Sequence, residues 1–370
     1  MSKIIELIDG KAAKKEAWVS YEFFPPRSET GVKNLEVRFE RMRDACRPLF
    51  ADVTWGAGGS TSRLTIDLTL KLKAMGLEPN MHLTCTNVKR EEVVEALKTC
   101  RSHDVRNIVA LRGDPPLGAE KWEATDASFS CALDLVKFIR AEHGDYFNLA
   151  VAGYPEGHPD AIEEVTGETL SASEKVRCRI TDDGKVFVCR DDNYKKELLY
   201  LKKKIDAGAN VVITQMFFDV DTYANFVEEA KKAGITCPIV PGIMVIQNAA
   251  GFQKMTSFCK TRVPDHLKVA LRAVQHDPDK VKALGIDYGI DMATKLHSVG
   301  APGLHFYTLN LDKATLAIID ALDFLPPVKQ PTYTKPPRAG KPGIITYAAI
   351  AAFAIITVNF FIRANRRANF

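Results

Sequence analysis

The chain has 370 residues, 46% of them hydrophobic and 26% charged, which fits a globular protein of one large domain or two ordinary ones. A formal net charge of only +4, with no basic stripe interleaved with aromatics, gives no electrostatic case for nucleic acid as a partner. The eight cysteines form no Cys-x-x-Cys pair, which argues against a zinc site and a secreted disulfide framework and points to a reducing compartment.

The first nine residues alternate charged and apolar side chains without a signal-peptide core and predict a short amphipathic helix. Short apolar, often β-branched runs then recur: Val19–Phe24, Ala51–Trp55, Asn80–Cys85, Asn107–Arg112, Phe147–Ala152, Asn210–Gln215, Pro238–Ile243 and Leu304–Thr308. Helical periodicity fills many of the intervals, at Arg63–Met75, Arg90–His103, Ser130–His143, Tyr194–Ala207 and Asp221–Ala233. Strands alternating with helices predict an α/β fold of the (β/α)8 TIM-barrel type over residues 1–325. An open doubly wound sheet is disfavoured, because no Gly-x-Gly-x-x-Gly opens a helix after the first strand.

Residues 162–193 read as an insertion. Within it, Val176–Arg190 predicts a β-hairpin around a two-residue Asp183-Gly184 turn, a register that sets Cys178 opposite Cys189. We expect a surface hairpin with free thiols that oxidation could join, and one that can be deleted without losing a cofactor. Residues 326–342 form a proline-rich linker. Residues 343–362 carry no charge and, as a helix, span about 30 Å, the thickness of a bilayer core. Cations flank both ends (Lys335, Arg338 and Lys341 before; Arg363, Arg366 and Arg367 after). The segment predicts a transmembrane tail anchor that leaves the barrel in the cytoplasm; the other reading is a buried C-terminal helix.

Active sites of such barrels lie at the C-terminal ends of the strands. There stand Glu22, Thr54, His82, Arg112 with Asp114, Tyr154 with His158, Gln215 and Tyr307. Glu22 ends a β-forming run just before Pro25-Pro26, where a carboxylate is costly without a use. It predicts a general acid, or else a structural glutamate paired with an arginine. Gly56-Ala-Gly-Gly-Ser-Thr61 lacks the lysine of a P-loop and reads as a flexible barrel loop. No carboxylate or cysteine lies at ligand spacing from His82 or His158, so no metal is expected.

The motifs together resemble methylenetetrahydrofolate reductase. They are Tyr21-Glu-Phe-Phe-Pro-Pro-Arg27, Val53-Thr-Trp-Gly-Ala-Gly-Gly59, His82-Leu-Thr-Cys85, Leu111-Arg-Gly-Asp-Pro-Pro116 and Ala152-Gly-Tyr-Pro-Glu-Gly-His-Pro159. Asp206-Ala-Gly-Ala209, Ile213-Thr-Gln-Met-Phe-Phe218, Pro241-Gly-Ile-Met244 and Leu304-His-Phe-Tyr-Thr-Leu-Asn310 follow in family order. The resemblance implies a non-covalent FAD reduced by NAD(P)H, with 5,10-methylenetetrahydrofolate then accepting hydride from flavin N5 in a ping-pong cycle that feeds methionine synthesis. It implies Glu22 as proton donor and Asp114 beside flavin and pterin, with Gln215 and Tyr307 on the substrate. Thr54, His82, Arg112, Gly113, Asp114, Ala132, Tyr154, His158, Glu197 and Lys204 would hold FAD, and Phe217 and Phe218 could wall the site. A homo-oligomer is implied as well.

The chain departs from the family pattern at Cys131 (often tyrosine), Glu197 (usually aspartate), Val245 (proline) and Leu311 (arginine in bacterial relatives). No S-adenosylmethionine-binding regulatory domain is seen, so no inhibition by that metabolite is expected. Two rival readings are a membrane-tethered folate- or flavin-binding barrel without turnover, and a related barrel flavoprotein reducing another iminium or carbonyl.

Overall fold

The computed structural model describes residues 2–56, 61–85, 88–113 and 129–329. Asp114, most of the Gly56–Thr61 loop, the linker from residue 330 and the apolar segment 343–362 lie outside the described residues. In chain order the first elements are α1 (Ile4–Lys14), β1 (Val19–Phe23), α2 (Glu29–Ala45), β2 (Ala51–Val53), α3 (Ser62–Ala74), β3 (Pro79–Thr84), α4 (Arg90–Ser102) and β4 (Asn107–Leu111). There follow α5 (Ala132–His143), β5 (Asn148–Gly153), β6 (Glu163–Val165), α6 (Ala172–Arg177), β7 (Arg179–Ile180), β8 (Val186–Val188), α7 (Asp191–Asp206) and β9 (Val211–Thr214). The last are α8 (Val220–Lys232), β10 (Ile239–Val240), β11 (Gly242–Met244), α9 (Ala249–Phe258), α10 (Asp265–Val274), α11 (Pro278–Ser298), β12 (Leu304–Tyr307) and α12 (Lys313–Asp320).

All ladders of the main sheet are parallel, in the order β10-β9-β5-β4-β3-β2-β1-β12-β11. Its two ends, β10 and β11, are one run of chain interrupted at Pro241, so the sheet closes on itself as the predicted eight-stranded barrel. Proline has no N–H to give the ladder, which accounts for the interruption. Its carbonyl still accepts from His305 N–H at 3.0 Å and keeps the seam shut.

The lumen divides into two halves. Val109, Ala150, Val211, Ile213 and Val240 form an apolar inner cluster with Trp18 and Phe50. Ile4 and Ile8 of α1 join that cluster, while the N–H groups of Ile4 and Ile5 donate to the Asn107 and Asn148 side chains at 2.8 and 3.2 Å. The predicted amphipathic helix is therefore a plug at the strands' N-terminal end, its first donors satisfied by the barrel. On the opposite side β12, β1, β2 and β3 carry polar residues inward, with Ser20 bonded to His305 and Asp52 to Asn80.

Three expectations are corrected. β7 and β8 pair Arg179 with Phe187 and Ile180 with Val186. The connection is a three-residue loop closed by Thr181 N–H to the Lys185 carbonyl at 2.9 Å, with Gly184 at φ 83°. The extra residue in the loop shifts the register by one from the predicted pairing. One residue of slip sends a side chain to the other face of a strand pair. Cys178 consequently packs with Val165 and Val188, while Cys189 joins the main core, and both are free thiols. Moreover the insertion is a three-stranded sheet, β6-β8-β7, with α6 attached, rather than a bare hairpin. The folded body also runs past residue 325: Val328 is buried, and Lys329 N–H donates to the Ala45 carbonyl at 2.8 Å.

Candidate active site

Cross-strand register determines what the polar side of the lumen can do. Glu22 and Asp52 are direct partners on β1 and β2, which sets two carboxylates side by side. Like charges in that relation repel, and Asp52 is fully buried. His82, on β3, resolves the conflict: its Nε2 lies 3.0 Å from Asp52 Oδ2 and 3.5 Å from Glu22 Oε2. Burial by itself lowers the His82 pKa, but the hydrogen bond to Asp52 and the charges of Glu22 and Asp52 outweigh it, and the net shift is upward. Asn80 donates to the other Asp52 oxygen at 3.0 Å. On the far side of Glu22, His305 Nε2 is 3.6 Å away and its Nδ1 meets Ser20 Oγ at 2.9 Å.

Glu22, Asp52 and His305 present ligand atoms within 4.8 Å of one another. Both Asp52 oxygens are already held, one by Asn80 and the other by His82.

This network opens into a cavity of about 260 Å³ at the strands' C-terminal ends, lined also by Thr54, Arg112, Gly113, Tyr154, His158, Gln215 and Tyr307. Tyr307 donates to the Thr214 carbonyl at 2.5 Å, and Gly242 lies so close that a Cβ there would sit 2.5 Å from the tyrosine hydroxyl. Glycine is required there by close approach. The Gln215 side-chain oxygen accepts from Met216 N–H at 2.9 Å.

A second cavity, of about 380 Å³, shares Leu111, Arg112, Ala152, Tyr154 and His158 with the first. It runs outward between α5 and α7, past Ala132, Glu197 and Lys204, so the two form one elongated groove. Glu197 and Lys204 sit seven residues apart on α7 and face the same way, with Tyr200 and Leu201 between them. Lys204 is 5% exposed; its Nζ donates to the Ala152 carbonyl at 3.1 Å and lies over the Tyr200 ring. Desolvation lowers its pKa to about 8, with Glu197 opposing the shift. Burial likewise raises the Glu197 pKa, against the pull of Lys204. His158 is held neutral, its pKa lowered to about 4 by desolvation and by the cations Arg112, Lys204 and Lys260, against the charge of Asp160. The N-terminus of α5 carries no side-chain cap at Cys131, and that end of the helix also lines the groove.

Apart from Phe217 and Phe218, every sequence-predicted site residue within the described residues thus lies along this groove; Asp114 lies outside them. Phe217 and Phe218 do not line it. Both are fully buried, one stacked on Tyr223 and the other edge-on to Phe252. Sequence reading missed Asp52 and His305. The signal for Asp52 was the one used for Glu22, a charge inside a short buried strand. For His305 it was a polar residue set among Leu304 and Phe306.

A family model described as Methylenetetrahydrofolate reductase matches residues 7–323. A probable methylenetetrahydrofolate reductase (NADH) from Oryza sativa subsp. japonica is 45% identical over 318 residues, covering 86% of this chain and 50% of that protein. The chain therefore spans about half the length of that relative. A 5,10-methylenetetrahydrofolate reductase from Pectobacterium carotovorum subsp. carotovorum is 34% identical, covering 84% of this chain and 91% of that one. Among solved structures, an uncharacterized protein from Clostridium thermocellum that binds two copies of 5-methyl-5,6,7,8-tetrahydrofolic acid matches with a TM-score of 0.53 at 14% identity. It covers 85% of this chain and 98% of that chain, a likeness of fold alone.

Proposed function

Because the chain belongs to the methylenetetrahydrofolate reductase family, we propose that it reduces 5,10-methylenetetrahydrofolate to 5-methyltetrahydrofolate with NADH or NADPH, through a non-covalent FAD. The product would supply methyl groups for methionine synthesis. The observation that carries this reading is the single groove with an acid network at one end and a buried ammonium at the other.

The groove suits a flavin dinucleotide on its own chemistry. A nearly fully buried lysine beside a helix N-terminus with no side-chain cap from Cys131 favours an anion such as a pyrophosphate. Arg112, Gly113, Ala132, Tyr154, His158, Glu197 and Lys204 would hold the nucleotide, and Thr54 and His82 the ring end. A flavin bound there supplies hydride uptake from the nicotinamide and hydride delivery to the folate. The protein's own part is acid–base and positional. Glu22 gives a proton to the substrate nitrogen that must leave as the five-membered ring opens. Asp114 adds negative charge where a cation develops, and Gln215 and Tyr307 orient the pterin.

The test separates the two half-reactions. Glu22→Gln should lower folate reduction on the order of 10²–10⁴-fold, while the protein stays yellow and still oxidises NADH or NADPH with a quinone. Equal loss of both half-reactions would reassign Glu22 to barrel or cofactor integrity. A colourless wild-type protein with no folate turnover would sink the enzyme reading altogether.

A further inference from the structure

Glu22 must be recharged with a proton once per turnover, and the structure holds a candidate store directly behind it. Asp52 is fully buried and yet is a direct cross-strand partner of Glu22. A buried carboxylate beside another is among the costlier arrangements in a protein interior. What offsets it is a fixed orientation: Asn80 pins one Asp52 oxygen, and the other receives His82 Nε2 at 3.0 Å. That same nitrogen is 3.5 Å from Glu22 Oε2. One proton on Nε2 therefore lies between the carboxylate that holds it and the carboxylate that spends it.

We propose that Asp52 is a positioning residue that keeps a proton stored on His82 Nε2, and that this proton refills Glu22 as Glu22 protonates the substrate. The inference rests on the folate-reducing role proposed for Glu22. The step balances without an outside reagent. As the substrate nitrogen gains N–H, the Glu22 O–H breaks; as Glu22 regains O–H, the His82 Nε2–H breaks and the imidazole becomes neutral. When product leaves, water reaches Glu22, whose side chain is 19% exposed, and the new proton passes back to Nε2. The upward shift of the His82 pKa, won against its burial, accords with this storage. Among the described residues, the other titratable and charged groups facing the cluster are His305 and Tyr307 from β12, Arg112 beyond β4, and Tyr154 and His158 beyond β5. His305 is the competing source, because its Nε2 is 3.6 Å from Glu22 and has no hydrogen-bond partner among the described residues.

The experiment is single-turnover reoxidation of the reduced holoenzyme by the folate substrate across pH, set beside reduction of the oxidised holoenzyme by NADH or NADPH. Without Asp52 the histidine loses its proton more readily. In Asp52→Asn the basic limb of folate-dependent reoxidation should therefore move to lower pH. Above neutrality its rate should fall roughly tenfold or more, short of the 10²–10⁴-fold of losing the acid itself. Flavin reduction should fall by at least tenfold less than reoxidation. His82→Gln keeps a donor but cannot store a proton, so its slowed reoxidation should lack that limb; this variant decides the matter if Asp52→Asn does not fold. Profiles that superimpose on the wild type's would overturn the inference and leave solvent or His305 as the source. Wild-type holoenzyme that is reduced normally but not reoxidised by folate would instead defeat the underlying reading of Glu22.

Discussion

Lys204 shows how burial can set the titration of a single residue. It is almost wholly buried, and desolvation lowers its pKa from 10.5 to about 8. In protein without flavin the charged form is thus disfavoured on folding. Below about pH 8 that cost is felt in full. Between about 8 and 10.5 the unfolded chain binds more protons, so stability rises with pH. Lys204→Met should remove a rise of about 3 kcal/mol in the flavin-free protein, read as the pH dependence of thermal or denaturant unfolding. It should also weaken flavin retention. Flavin-loaded wild type should show a smaller rise than flavin-free wild type, because an anion beside the ammonium raises the pKa again. An identical pH dependence in the variant and the wild type would remove Lys204 as the anion partner.

At the scale of elements, the insertion is bound into the groove's outer wall. Arg177, at the end of α6, is 1% exposed. It donates to the Cys189 carbonyl at 2.8 Å and to Ser173 Oγ at 2.6 Å, pairs with Asp191, and lies 4.1 Å over the Tyr194 ring. Tyr194 in turn donates to the Pro155 carbonyl in the loop that carries Tyr154 and His158. In the same loop a Cβ on Gly157, at φ 93°, would meet Cys189 at 2.5 Å. The insertion therefore meets the loop proposed to hold FAD directly at Cys189 and, through Tyr194 of α7, at Pro155, and excision of residues 162–193 should yield colourless protein, contrary to what a loose surface hairpin would allow. Arg177→Ala leaves the buried Cys189 carbonyl and the half-buried Ser173 hydroxyl without their donor. It should cost roughly 2–4 kcal/mol by denaturant titration, since each unsatisfied buried group costs about 1–3 kcal/mol. A change within about 0.5 kcal/mol, the range of ordinary surface substitutions, would show that the contacts are incidental.

At the scale of the whole molecule, the barrel is closed at one end by α1 and open at the other, so chemistry is confined to the strands' C-terminal mouth. Among the described residues no helix is long and apolar enough to cross a membrane. The segment 343–362 lies outside them, and we propose it as a membrane-spanning segment on its length and lack of charge. The full chain should resist carbonate extraction. A chain ending at residue 332, which keeps the buried Val328 and the Lys329 bond to Ala45, should be soluble and equally active. Full-length protein found wholly in the soluble fraction would remove the membrane span. The strands themselves were readable from sequence, because burial, β-branching and the punctuation between runs are local properties: all eight predicted runs recur, with only Pro238–Ile243 divided, at Pro241. Glu22 was readable for the same reason, as a charge at an abrupt strand end. The Cys178–Cys189 register was not, because a single extra loop residue reverses a strand's faces and local propensity does not count it. Nor was the pairing of Glu22 with Asp52, or the histidine between them. Those residues are 30 and 60 positions apart, and their meeting depends on the stagger with which parallel strands close the ring, which no local pattern encodes.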